Sequence, residues 1–236
     1  MKEIRETEEK MKERLSFVDD LVSALKEGIH TDILIQPGSG PPIPAHRALL
    51  AIRSEIFKTV LSSDECKAPA EDTISLPEMS HEEVQCLLEF LYCGTLKPKE
   101  RAQAHACALL IAADKYNIPF LKEFCEDLIL QSLGPCNSLQ VLEVADTCSN
   151  VRLKEHAMDT IVKHMEDVVL SAAYDSFALK NGHLSVEITR ALLIEMKKAK
   201  RTEPGVELRA ARHGNNALSQ PEMTQISDFV YSFPSS

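Results

Sequence analysis

Three cationic or titratable side chains, His46, Arg47 and Arg53, stand in the otherwise apolar stretch IPAHRALLAIRSEIFKTVL. Such a cluster belongs either to an active site or to a structural network of charges. A catalytic serine or cysteine needs an activating base and an oxyanion environment, but GxSxG is absent and neither Cys66 nor Ser54 has a recognisable one. His46 is therefore predicted to be a hydrogen-bonded core histidine, and the chain is predicted not to be an enzyme.

Arg47 requires an acidic partner if its apolar frame is buried, because removing an unpaired charge from water costs several kcal/mol. Asp32 precedes it on a predicted strand and is the nearest candidate. Asp32, His46 and Arg47 are accordingly predicted to form a buried charge network. A structure in which the three lined an open cleft would favour catalysis instead.

The seven cysteines are odd in number and include no close pair, so they indicate neither a disulfide framework nor a zinc knuckle. Those in apolar helical stretches are predicted to pack as small hydrophobic side chains, and they are Cys86, Cys93, Cys107 and Cys125. His105 with Cys107 is a weak zinc signal without a second pair. The PGSGPP turn matches no phosphate-binding pattern. No metal and no cofactor is predicted.

The net charge of −10 and the pI near 5.3 argue against a nucleic-acid-binding surface, which needs an excess of lysine and arginine. No window reaches the roughly 18 uninterrupted apolar residues of a membrane span, and the start MKEIRETEEK is charged where a secretory signal is apolar. We therefore expect no nucleic-acid or membrane partner and a cytoplasmic or nuclear location, or both.

Helices and two short strands are predicted to position these residues. The first 27 residues indicate a helix whose apolar stripe comprises Ile4, Met11, Leu15, Val18, Leu21, Val22 and Leu25. TDILIQ and DTISLP have strand character. The stretch that carries His46 is predicted to be one helix with Leu49, Ile52, Ile56, Phe57 and Val60 on its apolar face. Ser80 with Glu83 predicts a capping box for the next helix, which Gly94 ends.

Further helices follow without another strand. Two carry the stripes of AQAHACALLIAADKY and FLKEFCEDLILQSL, and short helices follow the break at LGPCN. After about Met196 the chain becomes basic, then loses apolar periodicity, which predicts a disordered tail. The basic run KKAKR fits a nuclear-import pattern, but cations at the end of a helix also complement the helix dipole.

The order of these blocks resembles a BTB/POZ domain. The matching blocks are TDILI, IPAHRALLAIRSEIFKTVL, TISLPEMSHEEVQCLLEFLYCGTL and LLIAADKYNIPFLKEFCEDLI, and they run from about Leu15 to Leu133. The following NSLQVLEVADTCSNVRLKEHAMDTIVKHMEDVV is similar to the start of a BACK domain. The resemblance implies an α+β fold, in which a helical cluster flanks a short, mostly antiparallel sheet. An all-α BACK-like extension follows it.

The predicted organisation has four parts: an N-terminal helical extension (residues 1–14), the BTB/POZ domain (15–134), the BACK-like region (135–196) and a basic, disordered tail (197–236). The resemblance places Asp32 and Arg47 together in a charged pocket. It also implies a homodimer, and its seam would comprise Leu15, Val18, Leu21, Val22 and Leu25. Such a short chain, without a kelch-like or MATH-like receptor domain, resembles plant members of the family.

Many BTB–BACK proteins act as substrate adaptors of cullin-RING ubiquitin ligases, so the resemblance implies a cullin scaffold and an unknown protein substrate as partners. The cullin-binding surface would include Leu96, Glu100, Tyr116 and Phe120. A hydrophobic-x-Glu signal for cullin is not clearly present, because Leu96 and Glu100 are four apart, and residues 97–100 also fit a solvated loop. The alternative is a BTB oligomerisation scaffold for transcriptional or signalling partners, without ligase function.

Overall fold

The computed structural model describes residues 16–62 and 73–202, with no side-chain detail for residues 199–202. The predicted extension at residues 1–14, Leu15, Cys66 and the tail from residue 203 lie outside the described residues. Eleven helices and three strands are found within the described ranges. The elements are α1 (16–27), β1 (Ile33–Ser39), β2 (Ile43–Ala45), α2 (Arg47–Arg53), α3 (Glu55–Ser62), β3 (Thr73–Ser80), α4 (His81–Cys93), α5 (Lys99–Lys115), α6 (Pro119–Ser132), α7 (Ser138–Thr147), α8 (Val151–Lys163), α9 (Met165–Val169), α10 (Ala172–Lys180) and α11 (Gly182–Thr202).

The three strands form one sheet in the order β2-β1-β3. β1 pairs antiparallel with β2 and parallel with β3, so the sheet is mixed and not mostly antiparallel as predicted. The parallel pair arises because a long connection, which includes α2 and α3, separates β1 from β3. Ile33 and Ile35 are buried while Leu34 between them is exposed, as the alternation in TDILIQ predicts.

The predicted helix of the His46 stretch is two helices, because Ser54 between α2 and α3 has an extended backbone with φ −145° and ψ 121°. The Ser54 hydroxyl donates to the Tyr116 carbonyl at 2.6 Å and accepts from the Phe57 amide at 3.1 Å. The break resets the helical phase, so Leu50 and Phe57 are the buried residues while Ile52 is 77% exposed. The predicted apolar face is therefore wrong at Ile52, and Ile56 and Val60 are also exposed.

The other predicted helices are confirmed within the described residues, which for the first helix begin at residue 16. The Ser80–Glu83 capping box has both of its hydrogen bonds, and Gly94 ends α4 with a left-handed φ of 73°. The predicted core faces of α4, α5 and α6 contribute to one hydrophobic core, which continues through α7, α8 and the first turns of α11. The α+β class with a C-terminal helical extension is confirmed.

Ionic contacts hold the start of α11 to α7 and α8. Asp146 on α7 accepts hydrogen bonds from Lys154 on α8 at 2.8 Å and from His183 on α11 at 2.9 Å, and Lys154 also reaches Glu187. The hydrogen bonds from Lys154 and His183 lower the pKa of Asp146. The described residues up to Met196 form one compact unit. The boundary predicted at residue 134 stays a prediction.

Helix α11 continues through Thr202, so the basic residues from Lys197 to Arg201 belong to its last turns. Cations at the C-terminal end of a helix interact favourably with the helix dipole. Among the described residues, no helix is both long and apolar enough to cross a membrane.

Replacing Ser54 with alanine is expected to lower the free energy of unfolding by about 1–3 kcal/mol, because the Tyr116 carbonyl and the Phe57 amide lose a buried partner. Urea denaturation monitored by circular dichroism measures this change. Ser62→Ala is the matched control, since Ser62 is exposed and bonds only to the Lys58 carbonyl of its own helix. An equal, small effect of both substitutions would contradict the structural role of Ser54.

Candidate protein-interaction site

His46 connects three elements through hydrogen bonds. Its Nδ1 lies 2.6 Å from the Tyr92 hydroxyl on α4, and its Nε2 lies 2.7 Å from the Ile29 carbonyl that follows α1. The Tyr92 hydroxyl also accepts from the His46 backbone amide at 3.0 Å. Burial raises the pKa of Tyr92 to about 12, so the phenol keeps its proton and donates it to Nδ1. Both ring nitrogens are thus occupied in positioning α1, α2 and α4.

Asp32 and Arg47 lie together, as predicted. The contact that joins them runs from the Arg47 backbone amide to Asp32 Oδ1 at 2.8 Å, which places a carboxylate at the first turn of α2. A negative group at this end of a helix satisfies an otherwise unpaired amide. Asp32 is exposed, and His46 and Arg47 are half-buried, so the prediction that this network is buried is wrong. It lies at the rim of the fold, where α2 begins.

The stripe on α1 is covered only in part by its own domain. Leu21, Val22 and Leu25 are half-buried and pack against the core, and Val18 is also half-buried. Phe17 lies one helical turn before Leu21 and is 66% exposed. An apolar stripe that its own core covers incompletely is the kind of surface that a second chain can cover.

Two of the four residues predicted to bind cullin are core residues. Leu96 is 5% exposed, and Tyr116 is buried with its ring stacked on Phe57 at a centroid distance of 4.8 Å. The Tyr116 hydroxyl donates to Glu78 at 2.7 Å, and Lys115 binds the same carboxylate. A direct surface role for Leu96 and Tyr116 is therefore excluded by their burial in this structure.

The other two predicted residues are on the surface. Phe120, at the start of α6, is 64% exposed, and Glu100 is exposed in the first turn of α5. The Phe120 ring lies 5.8 Å from the Phe90 ring between centroids, and a Cβ at Gly94 would contact it at 3.6 Å. Phe120 thus projects beside the end of α4, where the connection to α5 begins.

The cysteines match their predicted packing role. Cys86 and Cys125 are buried, whereas Cys93 and Cys107 are half-buried. Burial raises the pKa of the Cys125 and Cys107 thiols, which keeps them protonated and weakly nucleophilic at neutral pH. Within the two described ranges, no three histidine, cysteine, aspartate or glutamate side chains are arranged to hold a metal ion.

Several residues that shape these surfaces were not singled out from the sequence. Tyr92 is a core residue of α4, and nothing in its local sequence indicates His46 as its partner. Glu78 follows Pro77 at the end of β3 and anchors α5 through Lys115 and Tyr116. Burial opposes the ionisation of Glu78, but these two hydrogen bonds outweigh it and lower its pKa. A buried tyrosine that needs a partner for its hydroxyl was the one available signal.

Comparison with known proteins gives the family. A model of the BTB/POZ domain matches residues 21–133. The chain is 50% identical over 202 residues to the Arabidopsis thaliana BTB/POZ domain-containing protein At3g56230, covering 85% of this chain and 71% of that protein. It is 45% identical over 197 residues to the Arabidopsis thaliana BTB/POZ domain-containing protein At1g01640, covering 83% and 93%. A solved structure, the BTB domain of zebrafish PATZ1, is 23% identical with a TM-score of 0.40, covering 51% of this chain and 94% of that one.

The family model and the two Arabidopsis relatives confirm the resemblance read from the sequence. The family model spans α4, α5 and α6, which contribute Phe120, Glu100 and Tyr92, and most of α1. The chain belongs to the BTB/POZ domain-containing proteins, and its BTB/POZ domain is a protein-interaction module.

Proposed function

We propose that this chain is a dimeric, non-catalytic adaptor that presents a protein substrate to a cullin-RING ubiquitin ligase. The observation that carries the proposal is the exposed Phe120 ring, which stands beside the α4–α5 connection where the BTB resemblance assigns cullin binding. A large aromatic ring exposed at the edge of a packed core is the typical anchor of a protein interface. Glu100 supplies an acidic group in the first turn of the neighbouring helix.

The adaptor role requires two surfaces that bind at the same time, one for the cullin and one for the protein substrate. The Phe120 region would hold the cullin, and pairing through α1 would bring two such regions into one assembly. We propose a location in the cytoplasm, the nucleus or both. The positive charges from Lys197 to Arg201 at the end of α11 fit either nuclear import or dipole complementation.

The second candidate function is an oligomerisation scaffold for transcriptional or signalling partners, without ligase activity. The burial of Leu96 favours this alternative, because Leu96 then cannot supply an exposed apolar contact for cullin beside Glu100. The scaffold and the adaptor share the dimer, and they differ in whether cullin is bound.

Phe120→Asp is expected to weaken binding to a purified cullin N-terminal domain by about tenfold or more, because a carboxylate in an apolar contact stays unpaired and desolvated. Size-exclusion chromatography with light scattering gives the mass and stoichiometry of the complex, and titration calorimetry gives its affinity. Phe120 is chosen alone because substituting Leu96 or Tyr116 would damage the core.

Leu179→Asp is the matched control, since Leu179 is 90% exposed on α10 and receives the same change of charge. The adaptor proposal expects wild-type affinity from the control and a loss from Phe120→Asp. A wild-type dimer that does not bind cullin would leave the scaffold as the better function, and equal binding by both variants would remove Phe120 from the interface.

A further inference from the structure

A cleft of about 670 Å³ lies between α1, β2, α4 and α5. Its lining does not include Phe120 or Glu100. The apolar part of the wall comes from the half-buried Val22 and Leu25 of α1 and Ile43 of β2. A cleft of this volume is large enough for several side chains of a bound peptide.

The cleft is cationic although the chain as a whole is strongly acidic. Its ionic lining has three lysine or arginine residues, Lys26, Lys97 and Arg101, against two carboxylates, Glu82 and Glu89. The chain carries 36 acidic residues and only 26 basic ones. The local balance of charge is therefore opposite to that of the chain.

Of the three cationic side chains, Arg101 is in an ion pair, whereas Lys26 and Lys97 are in none with another described residue. Arg101 binds Glu89 with an Nη1–Oε2 distance of 2.7 Å, so each of them is already paired. The ammonium groups of Lys26 and Lys97 have no acidic partner within residues 16–62 and 73–202, and both side chains are exposed. They stand on different elements, α1 and the α4–α5 connection, and both line the cleft.

Two histidines complete the polar lining. His81 Nδ1 lies 3.0 Å from the Pro41 carbonyl and its Nε2 lies 3.0 Å from Gln85 Nε2, which fits a neutral ring with the proton on Nδ1. His105 Nε2 lies 3.7 Å from Glu82 Oε2, a separation at which the pair has no close hydrogen bond. The fixed His81 ring forms a wall, and Lys26 and Lys97 remain the open charged groups.

We propose that this cleft binds an acidic linear peptide from a partner protein, with apolar side chains against Val22, Leu25 and Ile43 and carboxylates at Lys26 and Lys97. Charge complementarity indicates an acidic peptide as the ligand, because the ammonium groups of Lys26 and Lys97 attract carboxylates. The apolar wall would bind aliphatic side chains of the same peptide. The proposal does not depend on cullin, since a scaffold without ligase function could bind such a peptide as well.

The test uses fluorescence anisotropy of the full chain with a fluorescein-labelled EELDEIEEL peptide. Its neutral counterpart QQLNQIQQL and a nonamer of glutamate separate the apolar and ionic contributions. Lys26→Glu with Lys97→Glu is expected to weaken binding of EELDEIEEL by about tenfold or more, and added salt is expected to weaken the wild-type complex. The neutral peptide and the glutamate nonamer are each expected to bind more weakly than EELDEIEEL.

The matched control is Lys163→Glu with Arg190→Glu, which changes the net charge equally at two exposed positions outside the cleft. The control is expected to keep wild-type affinity. Absence of binding, equal binding of the neutral peptide, or an equal loss in both double variants would overturn the proposal. If reversing Lys26 and Lys97 instead converts a dimer to a monomer by light scattering, the occupant is a second copy of the chain and the proposal fails.

Discussion

Gly38→Ala is expected to lower the free energy of unfolding by about 3 kcal/mol or more, because β1 passes too close to β3 for a side chain at this position. A Cβ at Gly38 would lie 2.0 Å from the Pro77 carbonyl oxygen and 2.8 Å from its carbon. The contact is with backbone, so no side-chain rotation can relieve it. The pairing of β1 with β3 already has an irregular register between Pro37 and Ser39.

Separating β1 from β3 would also disturb the core, because it would displace the buried Ile35 and Leu76. A loss of this size corresponds to a fall in Tm of about 6–12 °C for a domain of 150–250 residues. Urea denaturation at fixed protein concentration and a thermal melt measure the two quantities.

Gly182→Ala is the matched control, because a Cβ there meets nothing within 4 Å and Gly182 begins α11. Its stability is expected to be unchanged or slightly higher, since alanine favours the helix. If Gly38→Ala loses less than about 1 kcal/mol, β1 and β3 do not approach as closely as this structure has them.

Patterns confined to one element could be predicted from the sequence. The alternation of β1 places Ile33 and Ile35 in the core, and the spacing of Ser80 and Glu83 marks the start of α4. These predictions succeed because the hydrophobic period and the capping bonds depend on residues a few positions apart. The order of these elements along the chain then indicated the family, which no single local pattern does.

Several predictions that depended on distant contacts failed. The break at Ser54 is fixed by the Tyr116 carbonyl on another element, so the phase of the apolar face after Leu50 could not be read from spacing alone. Tyr116 itself was assigned to the surface, but its ring stacks on Phe57 and its hydroxyl binds Glu78. Gly38 was read as part of a turn, because its closeness to Pro77 exists only once the sheet has formed.

Phe17→Asp is expected to convert a dimer into a monomer of 26.3 kDa if α1 forms the seam. By two-fold symmetry the substitution would place two unpaired carboxylates in one apolar interface, each at a cost of several kcal/mol. Phe17 is a better probe than Leu21 or Leu25, because those two side chains also pack on their own core. Light scattering over a range of concentrations measures the mass.

Phe17 is 66% exposed in the single chain, so replacing it should change the stability of the monomer little. The free energy of unfolding of monomeric Phe17→Asp is expected to lie within about 0.5 kcal/mol of that of Leu179→Asp, measured at a dilution at which Leu179→Asp is also a monomer. Leu179→Asp is expected to remain a dimer at the concentrations at which Phe17→Asp is a monomer. A Phe17→Asp protein that stays dimeric would place the seam elsewhere.

The same variant separates pairing from cullin binding. Phe120 lies on α6, away in sequence from α1, so a Phe17→Asp monomer is expected to bind the cullin N-terminal domain one to one with the affinity of a single wild-type site. Phe120→Asp is expected to show the reverse behaviour, a dimer that does not bind cullin. Loss of cullin binding in a folded Phe17→Asp monomer would mean that the cullin site is completed across the dimer, and the two surfaces would then act as one.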